Sequence, residues 1–313
     1  MTGRLHRVGA ATRRLGGLLV VLCLQLGLPA ACAAFETRQE GAYERGLIWR
    51  VDGAGEMPSY VFGTLHAADA RLRDLPPAVR TAFDAAGIAA FELDDSRLDQ
   101  AELMEAILLP PGRRLEDILG PTLFQRAAAI VAPPGIFAEG LQNLKPWALI
   151  TVLTTVPRET LQPSVDGQRL DSWLQAEARR RGKTVYGLET AAEQIAVFEE
   201  MTEADQIAMV ADLVNHHHET QARLGRELDA YLAGDDTALM AEQYNGSRST
   251  DETVAIRFFQ RAIVSRNHVM VERMLPLLAR DATFVAVGAS HLLGEQGILR
   301  LLELRGFTVT RLE

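Results

Sequence analysis

Six short runs of β-favouring residues lie along the chain, and most are separated by stretches too long for a hairpin and patterned as helix. Leu47–Val51 and Tyr60–Phe62 read as a hairpin around Asp52-Gly53-Ala54-Gly55. Ile88–Leu93, Thr184–Glu189, Thr283–Val287 and Phe307–Thr310 follow, with amphipathic helices expected over Pro77–Ala86, Leu170–Arg181 and Gly294–Arg305. Strands joined through helices cannot pair as hairpins, so the pattern predicts an α/β fold: a mixed or parallel sheet core with a large helical insertion or cap. Two nearly all-helical stretches, about 96–156 and 191–279, are expected to form that layer over the sheet's functional edge. Residues 35–313 then make a single domain, long enough to bury a sizeable core.

The ends of these runs carry the chemistry. Tyr60-Val61-Phe62 leads into Gly63-Thr64-Leu65-His66, and Thr283–Val287 into Gly288-Ala289-Ser290-His291. With 25 Gly and 7 His in 313 residues, roughly half a Gly-x-x-His match arises by chance, and Gly3-Arg4-Leu5-His6 is a third occurrence, so the preceding strand is what makes the pair informative. A strand that ends in Gly and then His delivers an imidazole to the carboxyl edge of a sheet, where open α/β sheets place their ligands. The third run ends in Glu92, with Asp94 two residues on, and the fourth in Glu189. Two imidazoles and one or two carboxylates on a concave edge suit a divalent transition metal with open positions for water, whose proton a spare carboxylate would take. Ser290 and the N–H groups of the two Gly-rich turns would hold an oxyanion. Arg266-Asn267 sits inside a helical run, where Asn is an unfavourable former, and marks a polar, inward-facing role.

Other conspicuous features point elsewhere. In a continuous helix, side chains of His216, His217 and His218 would diverge by about 100° per residue and could not share one ion, so a solvated helical face is expected there. Arg179-Arg180-Arg181 ends a helix, where positive charge favours the dipole. Trp147 and Trp173 read as packing residues.

The first 34 residues read as a cleaved secretory signal of bacterial type: Arg4, Arg7, Arg13 and Arg14, an apolar stretch from Gly16 to Leu28, then Ala30-Ala31-Cys32-Ala33-Ala34. The destination is periplasmic or secreted. Pro29-Ala30-Ala31-Cys32 is a weak lipobox that would anchor Cys32 to lipid. Both cysteines, Cys23 and Cys32, fall in this segment, which excludes thiol catalysis and Cys-based zinc sites in the remainder. Removing its four Arg leaves 28 basic residues against 41 acidic, a net charge of −13, which argues against nucleic acid or an anionic membrane face as partner. No later stretch is apolar enough to span a membrane. A homodimer with the site cleft between subunits is compatible with the pattern.

An ordered set of motifs resembles the TraB/GumN family, which is related to the Tiki membrane-anchored proteases and to a group that includes erythromycin esterases. The carriers run from Tyr60–His66 through Phe91-Glu92-Leu93-Asp94, Leu170-Asp171-Ser172-Trp173-Leu174 and Gly182–Thr190 with Gln194. They continue through Arg266-Asn267 with Met270 to Val287–Gly294, Gly297 and Gly306–Val309. The resemblance implies an active site built on both Gly-x-x-His motifs and, in the Tiki branch, metal-dependent proteolysis with manganese or cobalt, zinc being a further candidate. His66, His291 and Glu92 become the expected metal ligands, and Glu92, Glu189, Arg266 and Asn267 the expected catalytic set, with Arg266 and Asn267 orienting substrate or polarising its carbonyl. A peptide or protein is the expected substrate. Two other readings stand beside it: a haem or small-ligand-binding (lipo)protein of the same superfamily, and a metal-free esterase-type hydrolase in which one His is the base.

Overall fold

The computed structural model describes residues 46–53, 55–131, 138–156, 160–244, 252–292 and 294–312. Residues 1–34, with Cys23 and Cys32, lie outside the described residues. Among the described residues, no helix is long and apolar enough to cross a membrane.

The protein is an α/β fold. Its six strands are β1 (Ile48–Asp52), β2 (Ser59–Thr64), β3 (Ile88–Phe91), β4 (Thr184–Gly187), β5 (Thr283–Gly288) and β6 (Thr308–Arg311), in the spatial order β4-β3-β5-β2-β1-β6. The first four in that order are mutually parallel, and β1 is antiparallel to both its neighbours. The central β3 and β5 are buried at every position, whereas the edge strands β4 and β6 are half-buried or exposed throughout. That contrast explains the sequences: Ile-Ala-Ala-Phe and Thr-Phe-Val-Ala-Val-Gly are continuous apolar runs because both faces are covered, while Thr-Val-Thr-Arg alternates.

Fourteen α-helices can be followed among the described residues. α1 (Pro77–Ala85) joins β2 to β3; α2 (Gln100–Ile107), α3 (Leu115–Leu119), α4 (Pro121–Val131), α5 (Ala138–Leu141), α6 (Pro146–Leu153) and α7 (Leu170–Arg180) lead from β3 to β4. α8 (Ala191–Glu199), α9 (Glu203–Asn215), α10 (His217–Ala233), α11 (Asp236–Tyr244), α12 (Glu252–Phe259) and α13 (Arg266–Leu278) lead from β4 to β5, and α14 (Ile298–Leu304) precedes β6. The two expected helical stretches are thus each broken into several helices. The three consecutive histidines do not share one helix: His216 ends α9 and precedes α10, with its ring against Asp212. A helix junction, rather than one continuous helical face, holds them.

Three apolar clusters result. On one face of the sheet Phe62, Ala89, Phe91, Phe284 and Ala286 pack with α1, α7 and α10. On the other face Trp49, Val61, Ala90, Val285 and Val287 pack with α13 and α14. The third cluster is wholly helical and joins α2–α4, α6, α8, α9 and α12, with Trp147 stacked on Phe198 at a centroid distance of 5.5 Å.

Candidate active site

The parallel register aligns the two Gly-x-x-His turns. Gly63 pairs with Val287 and Thr64 with Gly288, so β2 and β5 deliver His66 and His291 side by side at one sheet edge. Phe91 pairs with both Ala286 and Gly187, and the ladder runs one step further where Leu188 N–H donates to Phe91 O and Glu189 N–H to Glu92 O, each at 2.8 Å. The carboxyl ends of four neighbouring strands therefore bring together His66, Glu92, Glu189 and His291.

The glycines are required by close approach. A Cβ on Gly63 would stand 2.9 Å from Leu292 Cδ1 and 3.1 Å from Ala289 Cα. A Cβ on Gly288 would stand 2.7 Å from His66 Nε2 and 3.3 Å from Glu92 Oε1, that is, inside the site itself. The space beside His66 Nε2 and Glu92 Oε1 stays open because residue 288 has no side chain.

Each imidazole is held from behind. His66 Nδ1 is 2.7 Å from Asp171 Oδ2, and the other oxygen of that carboxylate accepts the Thr64 hydroxyl at 2.6 Å. His291 Nδ1 is 2.6 Å from Asn267 Oδ1, while Asn267 Nδ2 donates to Gln296 O at 2.7 Å. Both outer partners present oxygen, so each ring carries its proton on Nδ1 and turns Nε2 inward. His66 Nε2 lies 3.4 Å and His291 Nε2 3.9 Å from the same atom, Glu92 Oε1.

Behind Glu92 is a buried charge cluster. Arg266 Nη2 donates to Glu92 Oε2 and to Glu189 Oε2, both at 2.7 Å, and its Nε donates to Glu189 Oε1 at 2.9 Å. Gln194 Nε2 donates to both Oε2 atoms at 3.2 Å, and Gly288 N–H donates to Glu92 Oε1 at 2.8 Å. Burial works to raise the Glu92 pKa, but the Arg266 guanidinium prevails and holds it well below the ordinary carboxylate range. Burial acts the other way on His291, and with the positive field of Arg266 it pushes that imidazole down to about 3. A neutral imidazole beside an ionised carboxylate is what a cation-binding site needs at neutral pH.

The geometry gives Arg266 and Asn267 work other than touching substrate. The Arg266 Nε and Nη2 donors face two carboxylates, and Nη1 donates to Ala262 O at 3.1 Å. Asn267 is fully buried between His291 and Gln296. Both act as positioning residues, and Glu189 serves as the second counter-charge of Arg266. Asp94 points away: it caps the following turn through Ser96 N–H and pairs with Arg179. Ser290 follows the β5 turn, half-buried, beside buried Ala289 and His291.

Three residues of the site, Thr64, Asp171 and Gln194, received no role from the sequence. Asp171 belongs to a buried helical stripe with Leu174, Gln175 and Ala178, and Gln194 to another with Val197 and Phe198. A polar residue inside an apolar i, i+3, i+4 stripe was the available signal.

Among the described residues, no group of three or more His, Cys, Asp and Glu side chains already has the spacing of a metal cage. The separations of 3.4 and 3.9 Å nevertheless compare with roughly 3.0–3.4 Å between neighbouring donors around an ion with bonds of about 2.1 Å. A small inward rotation of His291 would complete a two-nitrogen, one-oxygen set, and the residues fit a divalent metal.

The chain is 25% identical over 301 residues to the zebrafish (Danio rerio) "Metalloprotease TIKI2", covering 80% of this chain and 58% of that protein. It is 22% identical over 344 residues to "Metalloprotease TIKI homolog" of Amphimedon queenslandica, covering 94% and 67%. The zebrafish "Metalloprotease TIKI1" is 25% identical over 335 residues, covering 90% and 66%. The chain thus spans about three-fifths to two-thirds of the length of these relatives. No solved structure matches it. From residue 47 to residue 311, both Gly-x-x-His turns and the whole sheet included, the chain matches the TraB/PrgY/gumN family, and it belongs to that family.

Proposed function

We propose that this protein is a metal-dependent hydrolase that cleaves peptide bonds outside the cytoplasm. The observation that carries the reading is the convergence of His66 Nε2 and His291 Nε2 on Glu92 Oε1, each ring fixed from behind by Asp171 or Asn267. The distant relatives' name of metalloprotease supports the choice of metal and of peptide bond. The N-terminal signal reading supports the location, periplasmic or secreted.

His66, His291 and Glu92 would hold the ion, with manganese or cobalt preferred and zinc an alternative. When bound, the ion supplies Lewis acidity and lowers the pKa of water at its open positions. The chain's own residues do the rest. Asp171 and Asn267 keep both Nε2 lone pairs aimed inward. Arg266 keeps Glu92 ionised, which makes that carboxylate a ready ligand and hydrogen-bond acceptor at neutral pH but a weak proton abstractor. Glu189 and Gln194 balance and orient Arg266 and Glu92, so that the cationic guanidinium is neutralised on the side away from the imidazoles.

Metal content of the purified, untagged mature protein tests the reading. Mass spectrometry after incubation with manganese, cobalt and zinc should find about one ion per chain, lost in both His66→Ala and His291→Ala while the thermal midpoint of the metal-free form stays close to the parent's. A parent that takes up no metal under any of these conditions would overturn it. A Soret band on adding haem, lost in His66→Ala, or ester turnover that persists in chelator would move the assignment to the ligand-binding or metal-free reading.

A further inference from the structure

Asp171, Gln175 and Arg179 stand four residues apart on α7 and therefore share one face of that helix. Each meets the surroundings of the candidate site at a different point. Asp171 Oδ2 holds His66 Nδ1 at 2.7 Å. Gln175 reaches the chain just beyond Glu92: its Nε2 donates to Leu93 O, and its Oε1 accepts from Asp95 N–H, both at 3.0 Å. Arg179 pairs with Asp94.

The turn that Gln175 grips is the one that carries Glu92 out of the sheet. β3 ends at Phe91, and Glu189 N–H still donates to Glu92 O at 2.8 Å. Beyond that point the chain packs on the end of β4, where a Cβ on Gly187 would stand 2.7 Å from Asp94 N and 3.2 Å from Leu93 C. Gln175, 2% exposed, braces the same turn from α7. A carboxamide offers both a donor and an acceptor, which is what Leu93 C=O and Asp95 N–H need; a carboxylate keeps the acceptor alone, and an apolar side chain neither. Arg266, Gln194 and the Gly288 N–H orient the Glu92 carboxylate, whereas Gln175 acts one step back, on the backbone that bears it.

His66 Nε2 and Glu92 Oε1 lie 3.4 Å apart. The imidazole is held by one residue of α7, and the turn after the carboxylate by another, about 6 Å further along the same stiff helix. We infer that α7 is a two-point brace that sets the spacing of His66 and Glu92, and that Gln175 is a positioning residue of the metal site although it touches neither side chain. This rests on the metal-site reading and adds what keeps two of its ligands in register.

Gln175→Met removes both hydrogen bonds at similar volume. Gln175→Glu keeps the acceptor for Asp95 N–H and has Arg179 Nη2 nearby, 3.5 Å from the present Oε1. Competition with a chelating dye should show manganese or cobalt affinity reduced about tenfold in Gln175→Met and by less in Gln175→Glu. Added to Asp171→Asn, Gln175→Met should lose less affinity than the product of the two single losses, because one brace cannot be released twice. Parental affinity in both Gln175 variants, whatever their thermal midpoints, or losses that simply multiply, would overturn the brace. Metal-free protein supplies a separate readout, since the His66 side-chain nitrogen resonances should move in both Gln175 variants as Glu92 Oε1 shifts against Nε2. Unmoved resonances, with metal bound by the parent, would overturn the brace and leave the hydrolase standing. Moved resonances, with no metal taken up by the parent, would leave the brace standing and overturn the hydrolase.

Discussion

Asp171 meets His66 with a full charge, whereas Asn267 meets His291 with a carboxamide. The difference matters for a shared ion, because a carboxylate behind an imidazole raises the basicity of the inward nitrogen more than an amide does. Asp171→Asn keeps the size and an oxygen for Nδ1 but removes the charge. Competition with a chelating dye should show metal affinity reduced about 10- to 100-fold, with the unfolding midpoint of the metal-free protein little changed. Unchanged affinity would show that Asp171 is only a buried partner of Thr64. Asp171 received no role from the sequence because Asp in the first turn of a helix is ordinary, where it favours the dipole, and its place in a buried stripe was the one signal against that reading. His66, Glu92, Glu189 and His291 were legible for the opposite reason: each follows a run of strand-forming residues, and a parallel sheet must bring such ends to one edge. The register that sets Thr64 opposite Gly288 was not legible, since it depends on pairing between segments more than two hundred residues apart.

At the scale of the element, polar residues in apolar stripes mark the site but do not mark it alone. Asn267 shares its stripe with Met270, Val271 and Met274 on α13, and Glu227 shares an equivalent one with Leu224, Leu228 and Tyr231 on α10. α13 enters through a π-helical segment, Gln260–Ser265, a local widening and unwinding of the kind often found at functional sites, just before it presents Arg266 and Asn267. No such feature accompanies Glu227. That carboxyl is pushed up to about 7, chiefly by burial, although Arg223 Nη1 donates to it at 2.6 Å and opposes the rise. The native state therefore holds a proton that the unfolded chain releases as pH rises above the ordinary value of 4.5. Stability from this group is present below that value and is lost as pH rises through about 7. Glu227→Gln removes the titration at the cost of a constant offset for the altered Arg223 partnership. Denaturant unfolding at about pH 5 and about pH 8 should show a parent-minus-variant difference that changes by up to roughly 3 kcal/mol in the variant's favour at the higher pH. A difference independent of pH would mean that the buried pair is ionised throughout, with Arg223 offsetting the whole cost of burial.

Over the whole molecule, two of the apolar clusters are built on the sheet and the third is separate from it, and the site lies where they meet. The helical cluster includes Val197 and Phe198 of α8 and Ala262 and Ile263 of the π-helical segment, only a few residues from Gln194 and Arg266. The strand ends deliver the imidazoles and Glu92 and supply the Gly288 N–H, but the side chains that orient them, Asp171, Gln194, Arg266 and Asn267, stand on helices. This division could not be read from the sequence, because an apolar helical stripe does not say whether its partner is a sheet face or another helix. Trp147, fully buried in the helical cluster, tests how far the two parts are independent. It stacks on Phe198, and its Nε1–H donates to Glu199 at 2.5 Å. Trp147→Ala should cost about 3–5 kcal/mol locally, as large-to-small changes in a core do. Amide hydrogen exchange followed by mass spectrometry should then show faster exchange in α6, α8 and α9, with β5 still protected as in the parent. Metal affinity should fall as well, although Trp147 touches no ligand, because α8 would no longer hold Gln194 against Glu92 and Glu189. If β5 and α8 instead accelerate together, the chain unfolds as one cooperative unit, and loosening the helices cannot detune the site without opening the sheet.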